Sequence, residues 1–146
     1  MQRREFLKAS CNICILGAAG FMLPQLTGCS PASSLAVYNT AVVDKQLRVP
    51  LSLFAKSPVQ VVRPAGWYYD IAVEKNENNT YKALLMRCTH QDNQLTKTGN
   101  GFSCSLHGSQ FDKNGNVRKG PAEDPLTQYH AYEKNDLLII DIGKTS

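Results

Sequence analysis

Two short segments constrain this chain more than any other feature: Cys88-Thr89-His90 and Cys104-Ser105-Leu106-His107. Each puts a thiol and an imidazole within one turn of backbone, so both pairs can face a single centre. The residues around them read as strands. Leu47, Val49, Leu51 and Leu53 alternate with Arg48, Pro50 and Ser52, and Trp67, Tyr69, Ile71 and Val73 alternate with Tyr68, Asp70, Ala72 and Glu74. A period of two gives one buried and one wetter face. Shorter β-rich runs lie at Val59 to Val62, Tyr81 to Met86 and Leu137 to Ile142. Turn signals at Asn76 to Asn79, Asn100-Gly101 and Asn114-Gly115 separate them. No 3.6-residue pattern emerges beyond the N-terminal segment. The expectation is an all-β domain of stacked antiparallel sheets, with long loops carrying the function.

The 146 residues allow one small domain with its own core. The N-terminal stretch reads as an address label. It opens Arg3-Arg4-Glu5-Phe6-Leu7-Lys8, runs apolar and small from Ala9 to Leu23, and breaks at Pro24. That run is short for a membrane span, which needs about 20 residues, and suits a signal-peptide core. The paired arginines resemble a twin-arginine export signal. Leu26-Thr27-Gly28-Cys29 resembles a bacterial lipobox, cut before Cys29 with the thiol lipidated. Residues 1–28 are thus expected to leave, residues 29–36 to form a tether, and residues 37–146 to form the domain. The resemblance implies an exported lipoprotein on the periplasmic side of a membrane. Formal net charge is +4, and the leader carries three basic residues and one acid, so about +2 remains. With no clustered basic face, nucleic acid is not an expected partner.

Of five cysteines, Cys11 and Cys14 fall in the apolar leader and Cys29 is assigned to lipid. Cys88 and Cys104 remain. In an exported protein such a pair suggests a disulfide first, but the neighbouring histidines point to a metal. Thiolate with imidazole suits zinc or an iron–sulfur cluster. The spacings C-x-H and C-x-x-H are unusual for structural zinc, where like ligands pair as C-x₂₋₄-C and H-x₃₋₅-H.

The second segment continues His107-Gly108-Ser109-Gln110-Phe111-Asp112 and later reaches Gly120-Pro121. Together with the first, this resembles the Rieske family, over about residues 84–130 in detail, with a cluster-binding subdomain at about 84–124. The resemblance implies one 2Fe-2S cluster per chain. Cys88 and Cys104 would bind the inner iron, and His90 and His107 the solvent-side iron. Ser109 would donate its hydroxyl to a bridging sulfide, and Gly120-Pro121 would cover a third side. Neutral imidazoles in place of two thiolates raise the potential into a window of about −150 to +300 mV.

The chain also departs from the family. Quinol-oxidising Rieske subunits carry one further cysteine in each loop, joined as a disulfide; here those places hold Asn93 and Leu106. A tyrosine that donates to a cysteine ligand is replaced by Phe111, and the span from Gln91 to Ser103 is short. A hydrogen bond to cluster sulfur favours the reduced state, so losing one lowers the potential. An intermediate potential is expected. His130, Trp67, Tyr68 and Tyr69 read as structural.

The expected function is a one-electron carrier tethered outside the cytoplasm, which docks on a redox partner through its histidine tip. The alternative is a small subunit of a quinol-oxidising complex or of an arsenite-oxidase-like molybdoenzyme. A cytochrome, such a complex or a molybdoenzyme would be the partner protein. A ferredoxin for a ring-hydroxylating oxygenase conflicts with the export signal, and a zinc domain used only for binding would be colourless. No motif for a substrate pocket is present.

Overall fold

A computed structural model describes residues 35–146. The readings of residues 1–28 as a leader, of Cys29 as a lipid site and of most of the tether lie outside the described residues.

The described chain is built from β-strands. They are β1 (Val37–Thr40), β2 (Gln46–Pro50), β3 (Val59–Pro64), β4 (Ile71–Lys75), β5 (Tyr81–Leu85), β6 (Thr96–Thr98), β7 (Gly101–Ser103), β8 (Gln110–Asp112), β9 (Val117–Lys119), β10 (Gln128–Lys134) and β11 (Leu137–Thr145). Seven of them form one sheet in the order β1-β3-β4-β5-β10-β11-β2. The other four form a small antiparallel meander, β6-β7-β8-β9. Thr40 Oγ1 on β1 donates to the Arg48 carbonyl on β2 at 3.1 Å. The two edges of the large sheet therefore meet, and the sheet curls around its own core. Edge-to-edge contact removes the open edges that invite pairing with another chain.

Alternation along β3, β4 and β5 builds two cores at once. Val62, Ile71, Val73, Ala83 and Leu85 point into the curled sheet, with Leu47, Val49, Phe54, Tyr129, Leu138 and Ile140. Val61, Ala72 and Leu84 point the other way and lie side by side, since Val61 pairs with Ala72 and Ala72 with Leu84. They form the floor of a second core with Met86, Cys88, Leu95, Phe102, Cys104, Phe111, Ala122 and Leu126. This explains why Val59 to Val62 and Tyr81 to Met86 lack a polar face: the central strands are covered on both sides. Each leucine or phenylalanine buried there contributes about 1.5–3 kcal/mol, so the second core fastens the small sheet and both cysteines to the large one.

Two expected strand bounds need correction. Leu51 and Leu53 do not continue β2 but lie in a 3-10 turn, Leu51–Ala55. The ladder runs out there, because β2 pairs with β11 and its last register partner for Pro50 is Leu137. The chain beyond reverses through Asn135 and Asp136, both at positive φ (49° and 59°). Leu51 N–H instead donates to the Asp136 carbonyl. Second, Trp67 to Asp70 are not strand. Trp67 N–H closes a turn on the Pro64 carbonyl, Gly66 takes φ +78°, and pairing starts only at Ile71 with Val62. The all-β architecture is antiparallel as expected, with one added parallel pair, β1 with β3.

Candidate metal centre

The two Cys/His segments fold into loops with one hydrogen-bond pattern. In the first, Cys88 N–H donates to the Asn93 carbonyl (2.8 Å) and Asp92 N–H to the Cys88 carbonyl (2.9 Å). In the second, Cys104 N–H donates to the Ser109 carbonyl (2.8 Å) and Gly108 N–H to the Cys104 carbonyl (3.1 Å). The residue closing each turn sits at positive φ, Asp92 at 47° and Gly108 at 78°. Glycine is the natural choice there, and aspartate is one of the few other residues that tolerate it. The first loop continues from β5 and is held at its neck by the Arg87–Gln94 bridge. The second is the connection from β7 to β8.

The structure brings all the expected ligand residues together at the ends of these loops. Cys88 and Cys104 are free and buried, at 1% and 4% exposure, and both belong to the second core. His90 and His107 are exposed, with ring centroids 5.1 Å apart. Burial pushes the Cys104 thiol up. The N–H groups of Leu106 and His107, the Asn93 amide and the Cys88 thiol outweigh that and hold it below the ordinary thiol value. An environment that favours thiolate suits a metal ligand. The four side chains form two pairs, buried sulfurs and exposed imidazoles. Among the described residues, no group of three His, Cys, Asp or Glu side chains is placed around a single point. Two irons, each taking one pair, fit this arrangement.

Ser109 lies between the second loop and the segment that follows β9. It is fully buried, and its Oγ accepts a hydrogen bond from Ala122 N–H at 3.1 Å. A hydroxyl both accepts and donates. Among the described residues, its proton has no protein acceptor. It is therefore left to serve an acceptor bound in the site, such as cluster sulfide. Gly120-Pro121 precedes this contact, and Thr89 Oγ1 donates to the Asp124 carbonyl at 2.7 Å. The proline segment is thus tied to both loops.

Several supports escaped the sequence reading. The Tyr69 hydroxyl donates to the Asp92 carbonyl, and Asp70 N–H donates to Gln94 Oε1. The Asp70 carbonyl also accepts from Met86 N–H. Asp70 is itself buried and held by Arg63 through two bonds of 2.7 and 2.9 Å. The turn between β3 and β4 therefore buttresses the first loop. Asn93 Nδ2 approaches Cys104 Sγ at 3.6 Å. Nothing in the local spacing announces contacts across more than twenty residues, such as Tyr69 to Asp92. His130 is exposed on β10, with its ring 5.5 Å from that of Tyr132 and away from the expected ligands in sequence. Leu106 is exposed beside His107, and Phe111 is buried in the second core.

The family model of the Rieske [2Fe-2S] domain matches residues 39–130. The cytochrome b6-f complex iron-sulfur subunit 1 of Nostoc sp. (strain PCC 7120) is 36% identical over 72 residues. That match covers 48% of this chain and 40% of the relative, so the chain spans about two fifths of the length of that subunit. The ubiquinol-cytochrome c reductase iron-sulfur subunit of Rickettsia typhi is 28% identical over 82% of this chain and 81% of its own. Among solved structures, the plasma-membrane Rieske protein PetC3 of Synechocystis PCC 6803 superposes with a TM-score of 0.52 at 21% identity. That match covers 63% of this chain and 94% of PetC3. With two cysteine–histidine loops joined over a shared core and this family match across most of the domain, the chain belongs to the Rieske family, whose domain binds a [2Fe-2S] cluster.

Proposed function

We propose that this chain is a one-electron carrier whose cluster is held by Cys88 and Cys104 on the inner iron and by His90 and His107 on the outer iron. The observation that carries this is the division of the four side chains into a buried sulfur pair and an exposed imidazole pair. When bound, such a cluster supplies a single-electron couple in the Rieske range. The second core and the proline segment keep water from the sulfurs. The two imidazoles, in solvent, are the edge a partner can touch. Ser109 and the Leu106 and His107 N–H groups donate toward sulfur, which favours the reduced state.

Location completes the proposal. Arg3-Arg4 and Cys29 support an exported chain, tethered by lipid outside the cytoplasm through residues 29–36. A second reading, as a subunit of a quinol-oxidising complex, is favoured by the relatives named above, both subunits of cytochrome complexes. Purification of the full chain from its native membrane separates the two. A free chain that reduces a soluble cytochrome supports the carrier, and co-purification with a large catalytic chain supports the subunit. The ligand set is tested by His90→Ala and His107→Ala, each expected to abolish the electron paramagnetic resonance signal of the reduced protein. A signal unchanged in either variant sinks the assignment.

A further inference from the structure

The sequence reading treats Asn93 as one end of a disulfide that the chain lacks. The structure gives it a different part. Asn93 comes five residues after Cys88 (93 − 88 = 5), as Ser109 does after Cys104 (109 − 104 = 5). Both positions receive the N–H of their own cysteine at 2.8 Å, so they are equivalent in the two loops. Both carry a side-chain donor. The Asn93 side chain is half-buried, and its Nδ2 makes two contacts, 3.2 Å to the Gln94 carbonyl and 3.6 Å to Cys104 Sγ in the opposite loop. A carbonyl oxygen and a thiolate can only accept, so the NH₂ end of the amide is the end that faces them. The backbone leaves little freedom to aim otherwise, because Asp92 at φ 47° and the Cys88–Asn93 hydrogen bond set the direction in which residue 93 leaves the loop.

We propose that Asn93 is a potential-setting donor to the Cys104 sulfur, which clasps the two loops where a disulfide is missing and replaces the donor lost at Phe111. This rests on Cys104 being a cluster ligand. A donor to ligand sulfur stabilises the state with more negative charge, so it raises the midpoint potential. Asn93 is a positioning and tuning residue and need not touch the irons.

The test uses the full-length, cluster-loaded chain. Asn93→Leu keeps the approximate volume and removes the donor. Asn93→Asp keeps the shape and turns the donor into an acceptor. At a fixed ambient potential the reduced-to-oxidised ratio is expected to fall about tenfold in Asn93→Leu, which for one electron is about 59 mV, and further in Asn93→Asp. A native cluster spectrum with an unchanged midpoint in either variant overturns the proposal. If neither variant takes up the cluster, reduced wild-type protein labelled with ¹⁵N at asparagine side chains decides by pulsed electron paramagnetic resonance. A nitrogen coupling is expected, and its absence overturns the proposal. Cys104→Ser separates the premise: an unaltered cluster spectrum there would show that Cys104 is no ligand, whatever Asn93 does.

Discussion

Replacing Ser109 by alanine removes its hydrogen bond with Ala122 N–H and, on the proposed assignment, a second one to cluster sulfide, with different consequences. The Oγ accepts from Ala122 N–H at 3.1 Å, and both residues are buried. Losing that acceptor strands a buried N–H, which costs about 1–3 kcal/mol. For a domain of this size about 4 °C accompanies each kcal/mol, so the melting temperature of the loaded protein should drop by about 4–12 °C. The hydroxyl proton, in turn, is the one we propose for cluster sulfide. A bond to a charged acceptor that is stronger by about 1–2 kcal/mol in the reduced state corresponds to a midpoint lower by about 40–85 mV in Ser109→Ala. Ser109→Cys, a weaker donor of similar size, should fall between. The assays are a potentiometric titration followed by visible absorption, and thermal unfolding followed by circular dichroism. An unchanged midpoint with a native spectrum refutes the donor role. An unchanged melting temperature refutes the reading of Ala122 as tethered through Ser109.

Other substitutions probe the frame of the site. Gly101→Ala should weaken the β7–β8 pairing beneath Cys104, because Gly101 has φ +150° and a Cβ there would collide with the Phe111 carbonyl oxygen; a variant that unfolds at the wild-type denaturant concentration would contradict this. Leu84→Ala empties part of the floor between the sheets and should cost about 2–5 kcal/mol in denaturant unfolding, with a loss under 1 kcal/mol showing that the two cores are not coupled through it. Burial pushes the Asp112 carboxyl up, but the Asn116 amide, the N–H groups of Asn116 and Asn114, and Arg118 outweigh it and hold it below the ordinary carboxylate value. The stability it adds is therefore complete above its unfolded value of about 3.9 and is lost as pH falls through its depressed folded value. Asp112→Ala should lower stability at neutral pH by about 1 kcal/mol, given solvent screening, and should flatten the acid limb of a stability–pH curve; an acid limb identical to wild type would count against it.

Much of this protein is legible in its sequence because it is written in local spacing. The pairs Cys88/His90 and Cys104/His107 sit in short turns, so sequence distance is already spatial distance. Asn79, Asn100-Gly101 and Asn114-Gly115 mark reversals for the same reason, since the chemistry of a turn lies within its own residues. What escaped was set by partners far along the chain. Whether Leu51 extends a strand depended on where β11 begins, at Leu137 opposite Pro50. Whether Tyr69 lies in a strand depended on where β3 stops pairing, and its work as a clamp on Asp92 depended on the first loop folding against it. Period two could mark Val61 and Val62 as apolar, but only the second sheet made both faces of β3 interior. Asn93 shows the division most sharply. By sequence it is a missing cysteine, because spacing records which residue is absent. Only the docking of one loop on the other turned it into a donor, because a hydrogen bond requires an acceptor within reach, and Cys104 is brought there by the tertiary fold.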